Sequence, residues 1–190
     1  MNTARYDKTS RRYTFIAVLG ITALALLMLM NIASALTQES KIWINAGNEL
    51  IGNSNYKEAI KAYDKAIEID PQDSDAWTYK GLALYKLNKP KEAIKAYDKV
   101  IEINPQDSQA WNIKGVLLKK LSKYDEAINA YDKALKINPQ YSVAWTNKGL
   151  ALEKLGKYDE AIMAYNKALE IDPQDSIALK GKETLSKQNK

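Results

Sequence analysis

Between Ala76 and Ile103 the apolar residues fall into two stripes. Ala76, Trp77, Gly81, Leu84 and Leu87 recur mainly at steps of three and four, with polar residues between them. That spacing predicts an amphipathic helix. After a break around Asn88 and Lys89, a second stripe runs through Ala93, Ile94, Tyr97, Val100, Ile101 and Ile103. It ends at Asn104-Pro105, because the residue before a proline is pushed out of the helical region. Ser74 stands just ahead of the first stripe as the expected N-cap, as do Ser108, Ser142 and Ser176 in the same register.

This two-helix unit repeats every 34 residues: Trp43, Trp77, Trp111 and Trp145 share one register. Gly47, Gly81, Gly115 and Gly149 follow four residues later. Tyr63, Tyr97, Tyr131 and Tyr165, and then Pro71, Pro105, Pro139 and Pro173, keep the same period. A unit of that length buries its apolar face only against the next copy of itself. The chain is therefore expected to be all-α and stacked, working through its surface rather than a catalytic pocket. A glycine inside a helix costs about 1 kcal/mol against alanine, so the recurring glycines predict close helix–helix approach. The tryptophans and tyrosines are expected in the core.

The pattern resembles the tetratricopeptide repeat (TPR) over residues 40–175, most fully in Ala144-Trp145, Gly149, Gly156, Lys157-Tyr158-Asp159-Glu160-Ala161-Ile162, Tyr165, Ala168-Leu169 and Asp172-Pro173. The resemblance implies a right-handed α-solenoid with repeats at 40–73, 74–107, 108–141 and 142–175. A capping helix and tail would follow at 176–190, along a thin apolar edge of Ile177, Leu179 and Leu185. Glu183 stands where a further glycine would be expected. Lys80, Lys114 and Lys148 replace an apolar residue of the family pattern and are read as snorkelling stems with the amine in water. Pro90 replaces the Tyr of other copies, in a first helical turn where proline is tolerated.

In this family the first helix of each repeat lines a concave groove. Matching register puts Ile44 and Asn48 there in the first copy, and Thr78, Leu82 and Tyr85 in the second. Asn112, Val116 and Lys119 follow in the third, then Thr146 and Leu150 in the fourth. Such a row suits an extended peptide or a partner helix. Co-chaperone members grip a C-terminal carboxylate with Lys, Asn and Arg; the corresponding places in copies one to three hold Ile44, Asn48, Tyr79, Gln109 and Ile113, and only Asn48 matches.

The N-terminal segment is of another kind. Arg5, Lys8, Arg11 and Arg12 precede a run from Tyr13 to Met30 with no charge, and Ala33-Ser34-Ala35 close it. Basic start, apolar middle and small-x-small exit define residues 1–35 as a secretory signal with cleavage after Ala35, Ala33 and Ala35 being the recognised residues. The alternative is an uncleaved transmembrane anchor, because 18 uncharged residues approach the roughly 20 needed to span a bilayer. Its basic flank would stay cytoplasmic. Both readings place the repeats outside the cytoplasm, secreted or held at the membrane.

Charge and composition narrow the chemistry. Of the net charge of +5, the four basic residues of the leader against Asp7 supply +3. The repeats alternate Lys with Asp or Glu, the habit of a solvated helix face rather than of a nucleic-acid binder. The absence of Cys and His removes thiol nucleophiles, Ser-His-Asp triads and ordinary zinc sites. No Gly-rich phosphate loop or calcium loop is present. The expected function is non-enzymatic, without cofactor or metal: an exported scaffold binding a protein or peptide partner. The alternative is a structural module that self-associates through its ends.

Overall fold

The computed structural model describes the backbone of residues 3–188 and the side chains of residues 22–187. The side chains of Arg5, Lys8, Arg11 and Arg12, and the final residues Asn189 and Lys190, lie outside what is described. The described residues form helices in consecutive antiparallel pairs: α1 (Thr3–Gly52) with α2 (Tyr56–Ile69), α3 (Ser74–Lys86) with α4 (Pro90–Ile103), α5 (Ser108–Lys120) with α6 (Tyr124–Ile137), and α7 (Ser142–Lys154) with α8 (Tyr158–Ile171). Helix α9 (Ser176–Gln188) closes the series against α8 and α7.

Each pair is joined by a turn whose single left-handed residue occupies one register: Ser54, Asn88, Ser122 and Gly156, at φ 58°, 59°, 60° and 73°. The turn folds back so that the next N–H reaches a carbonyl of the helix just ended, as Lys89 donates to Leu84 O at 2.9 Å. This is the six-to-one closure of a Schellman cap. Only Gly156 adopts the conformation without a Cβ penalty.

The caps of the odd helices differ from expectation. Asp73 and Asp107, not the following serines, are the N-cap residues; Asp73 accepts from Asp75 N and Ala76 N, and Asp107 from Ala110 N. Asp175 serves α9 in the same way. A carboxylate accepts these bonds with full charge at the positive end of the helix dipole. The serine then occupies the first helical position. In α7 the cap is Tyr141, without a side-chain cap bond.

The core crosses the repeat boundaries. Leu84, Ala93, Ala96, Tyr97 and Val100 of the second repeat share one cluster with Ala110 and Leu117 of the third. Tyr63, Tyr97, Tyr131 and Tyr165 of the even helices are at most 2% exposed, each facing the glycine of its paired helix. The tryptophans pack against these clusters as expected but are only partly buried. Their indoles also clip the turns between repeats: Trp77, Trp111 and Trp145 donate through Nε1 to Pro71, Pro105 and Pro139 carbonyls at 3.0, 3.2 and 3.0 Å.

Helix α9 seats Ala178 and Leu185 against the fourth repeat. Gly181, rather than the glycine missing at Glu183, brings it against Tyr165, where an added Cβ would lie 2.6 Å from the ring. Ile177 and Leu179 are exposed instead of forming that contact.

Candidate interaction groove

Across repeat boundaries the odd helices touch, α1 with α3, α5 with α7 and α7 with α9; no pair of even helices packs comparably among the described residues. Odd helices are therefore closer together than even ones, and they line the inner face. Leu82, Val116 and Leu150 occupy one register along it and are half-buried, with Val116 and Leu150 packed on the clusters of the third and fourth repeats. Thr78 and Tyr85 are half-buried beside them. The Lys120 ammonium lies 4.8 Å from the centre of the Tyr85 ring, within cation–π range.

Three of the expected groove residues are not free to meet a ligand. Ile44 is 8% exposed and belongs to the core of the first repeat. Thr146 is 4% exposed and donates to Asp175 Oδ2 at 2.5 Å, with Ser142 O the alternative acceptor at 3.2 Å. Asn112, at 5%, is also buried. A buried polar group must find partners, and Asn112 finds two, one at the end of its own repeat and one in the fourth. Its Nδ2 donates to the Tyr141 hydroxyl at 3.4 Å, and its Oδ1 accepts from Asn147 Nδ2 at 3.2 Å. Asn147 Oδ1 in turn accepts from Lys119 Nζ at 3.3 Å. Tyr141 and Asn147 were not legible as site residues in the sequence, because the bonds span 28, 29 and 35 residues. Burial lowers the Lys119 pKa from the ordinary lysine value.

The buried tyrosines point their hydroxyls toward this face. Tyr63 donates to Asn48 Oδ1 at 2.8 Å and Tyr165 to Glu153 Oε2 at 2.9 Å. Tyr131 sits against its glycine in the same way, yet its hydroxyl is buried without a hydrogen-bond partner. In its repeat the Asn48 position holds Val116, which has no acceptor, and the Glu153 position holds Lys119.

Lys80, Lys114 and Lys148 belong to the opposite face. Each pairs at 2.6 Å with an aspartate of the preceding repeat, Asp64, Asp98 and Asp132. Each also lies over its repeat's tryptophan, at 5.0, 5.3 and 5.5 Å. The amines are not left in water as expected; they join neighbouring repeats. Among the described residues no cluster of three or more His, Cys, Asp or Glu is placed to hold a metal ion.

Comparison with known proteins agrees with this architecture. Profiles described as "Tetratricopeptide repeat" and "TPR repeat" match residues 142–175 and 115–156, and one described as "Anaphase-promoting complex, cyclosome, subunit 3" matches 52–134. The sequence matches no curated protein at a significant level. Solved structures share the fold. A MamA crystal structure is 24% identical over 80% of this chain and 83% of its own, with a TM-score of 0.75. PilF of Pseudomonas aeruginosa is 22% identical over 82% and 71%, at 0.72. The TPR domain of Arabidopsis OM64 is 26% identical over 60% and 95%, at 0.59.

The chain is thus an all-helical solenoid. Its repeating units are tetratricopeptide repeats, a fold that serves in general as a scaffold for protein partners.

Proposed function

We propose that this chain is a membrane-anchored, extracytoplasmic scaffold that receives a peptide or partner helix on its inner face. The observation that carries the anchoring is the continuity of α1, which runs unbroken from Thr3 through Ala33 and Ala35 to Gly52. Thr22–Gly52 is long and apolar enough to cross a membrane by length and composition. Leu24, Leu26, Leu27, Met28, Leu29, Met30 and Ile32 are 56–68% exposed, a surface that lipid would cover. The chain is free of charge from Tyr13 to Gln38, enough at about 1.5 Å per residue to cross the roughly 30 Å hydrocarbon layer. Packing then begins at once, since Ser40 is buried and donates to Ala66 O at 3.4 Å. Processing after Ala35 is the competing reading, since a signal sequence presents the same apolar helix near the N-terminus.

The test expresses the full chain with a C-terminal tag and determines where it fractionates, its N-terminal residue and its protease accessibility. A full-length species in membranes, with repeats digested from outside the cytoplasm, is expected. A product beginning at Leu36 would replace the anchor by a secreted scaffold. Partners captured by the tagged chain should be lost by Leu82→Glu with Leu150→Glu and kept by Lys61→Glu with Lys95→Glu on the even helices; the reverse would move the working surface to the outer face.

A second reading has its own support. Ile177 and Leu179 are 54% and 48% exposed on the terminal helix, an apolar edge available to another copy. Sedimentation of the full chain in detergent, with Ile177→Lys and Leu179→Lys, distinguishes it: loss of a concentration-dependent dimer in the variant supports self-association.

A further inference from the structure

We propose that the far end of the array rests on the membrane, with Val143, Ile177 and Leu179 entering the lipid headgroup boundary of the bilayer that α1 crosses. The proposal rests on the anchoring reading above and adds which edge of the solenoid the bilayer meets.

The placement begins at α1. One helix from Thr3 to Gly52 passes from its charge-free stretch into the first repeat without a linker. Glu39 is the first charge beyond that stretch, and Ser40 is already buried and donates to Ala66 O. That bond ties the membrane exit to the last turn of α2, so the turn from Asp70 to Asp73 leaves the first repeat on the membrane side. Helices in antiparallel pairs alternate in direction, and the N-terminal ends of α3, α5, α7 and α9 therefore share that edge. The turns holding Asn88, Ser122 and Gly156 form the opposite edge.

Along the membrane-side edge the chemistry changes with distance from the anchor. One exposed register, at that end of each odd helix, reads Lys41, Asp75, Gln109, Val143 and Ile177. It is polar in the three copies nearest the anchor and apolar in the two units farthest from it. Val143 and Ile177 are 50% and 54% exposed, and Leu179, two residues on in α9, is 48% exposed. A lone exposed apolar side chain is ordinary. Two in one register, both at the free end, are placed where a second support would act.

The turn before Val143 follows the same trend. Ile137 to Asn147 carries no charge, whereas the corresponding turns hold Asp70 and Asp73, Asp107, or Asp172 and Asp175. Tyr141 stands where Asp73, Asp107 and Asp175 cap the other helices, and α7 goes without a side-chain cap bond. A carboxylate is costly to bring against hydrocarbon, while tyrosine is favoured at the membrane–water boundary. Asp172 and Asp175 beside Ile177 accept backbone N–H bonds, so the edge should enter the headgroup layer and go no deeper. Because α1 tethers the array, this contact is intramolecular, and a few apolar side chains suffice where a free domain would need more.

The chain has no cysteine, so single cysteines can carry an environment-sensitive fluorophore. Leu36→Cys, Val143→Cys, Ile177→Cys and Lys123→Cys are made in the full chain and reconstituted into phosphatidylcholine–phosphatidylglycerol vesicles containing nitroxide-bearing lipid. Labels at positions 36, 143 and 177 are expected to lose most of their emission to the nitroxide, while the label at 123, on the opposite edge, keeps its own. Ile177→Asp with Leu179→Asp should restore emission at position 143 and leave position 36 quenched, with circular dichroism confirming the fold. If position 36 is quenched while 143 and 177 are not, or if 123 is quenched as strongly as they are, the edge contact is overturned and the anchor stands. If position 36 also keeps its emission, both are overturned. Energy transfer between labels at 177 on separate chains, without lipid quenching there, would give the edge to a second copy and overturn the proposal.

Discussion

Tyr131 fills the space that a side chain on Gly115 would need. A Cβ built on Gly115 would stand 2.4 Å from Tyr131 Cε1, and the same relation holds between Gly47 and Tyr63 and, at 2.5 Å, between Gly149 and Tyr165. Real Cβ contacts do not come this close, and each ring is fully enclosed. The glycine is therefore a packing device, kept against its helix propensity.

Gly115→Ala should destabilise the array. Propensity favours alanine by about 1 kcal/mol, but overpacking a closed site costs about 1–3 kcal/mol, and the ring has no room to retreat. A net loss of about 1–2 kcal/mol in urea unfolding is expected. Gly52→Ala is the control, because nothing lies within 4 Å of the added Cβ, and it should be neutral or stabilising. Stabilisation by Gly115→Ala would refute the close approach.

Truncating the buried tyrosines should cost more than truncating the tryptophans. Tyr97→Ala removes a ring that is 2% exposed and should cost about 3–5 kcal/mol. Trp77→Ala removes a half-buried ring and its bond to Pro71 O, for about 2–3 kcal/mol. The reverse order in denaturant midpoints would place the tryptophans deeper in the core than the tyrosines.

The capping aspartates should matter and the serines beside them should not. Asp107→Ala should cost about 0.5–2 kcal/mol, since Ala110 N–H loses its acceptor. Ser108→Ala should fall within error of wild type. Equal losses at both positions would mean the serine shares the cap.

The array should fail in alkali. Burial, with the nearby Tyr79, pushes Tyr63 from the ordinary value of 10.0 to about 12; burial, with Asp107, does the same for Tyr97. A raised folded-state value means the protonated phenol is favoured by folding. This stabilisation is complete below about pH 10 and is lost as pH rises through about 12. Tyrosinate absorbance and helical ellipticity followed against pH should therefore change together for the buried rings. Ionisation of every tyrosine near pH 10 with the helices intact would contradict that burial.

Much of this protein was readable in the chain itself. Period, helix pairs and the tight glycines all follow from local spacing, since a helix face is set by residues three and four apart and a repeat buries its face against an identical neighbour. Leu82, Val116 and Leu150 could be aligned for the same reason. What spacing does not carry is the choice each polar side chain makes among distant partners. Asp73 rather than Ser74 takes the cap, the tryptophans close the turns, and Lys80 pairs with Asp64; Lys119 and Asn112 join through Asn147 across two repeats. Those choices depend on distances that exist only once the helices are stacked, where desolvation forces buried donors and acceptors to find each other. The repeat alone determined the solenoid, and the stacked structure decided which of its polar side chains are taken up in contacts between repeats.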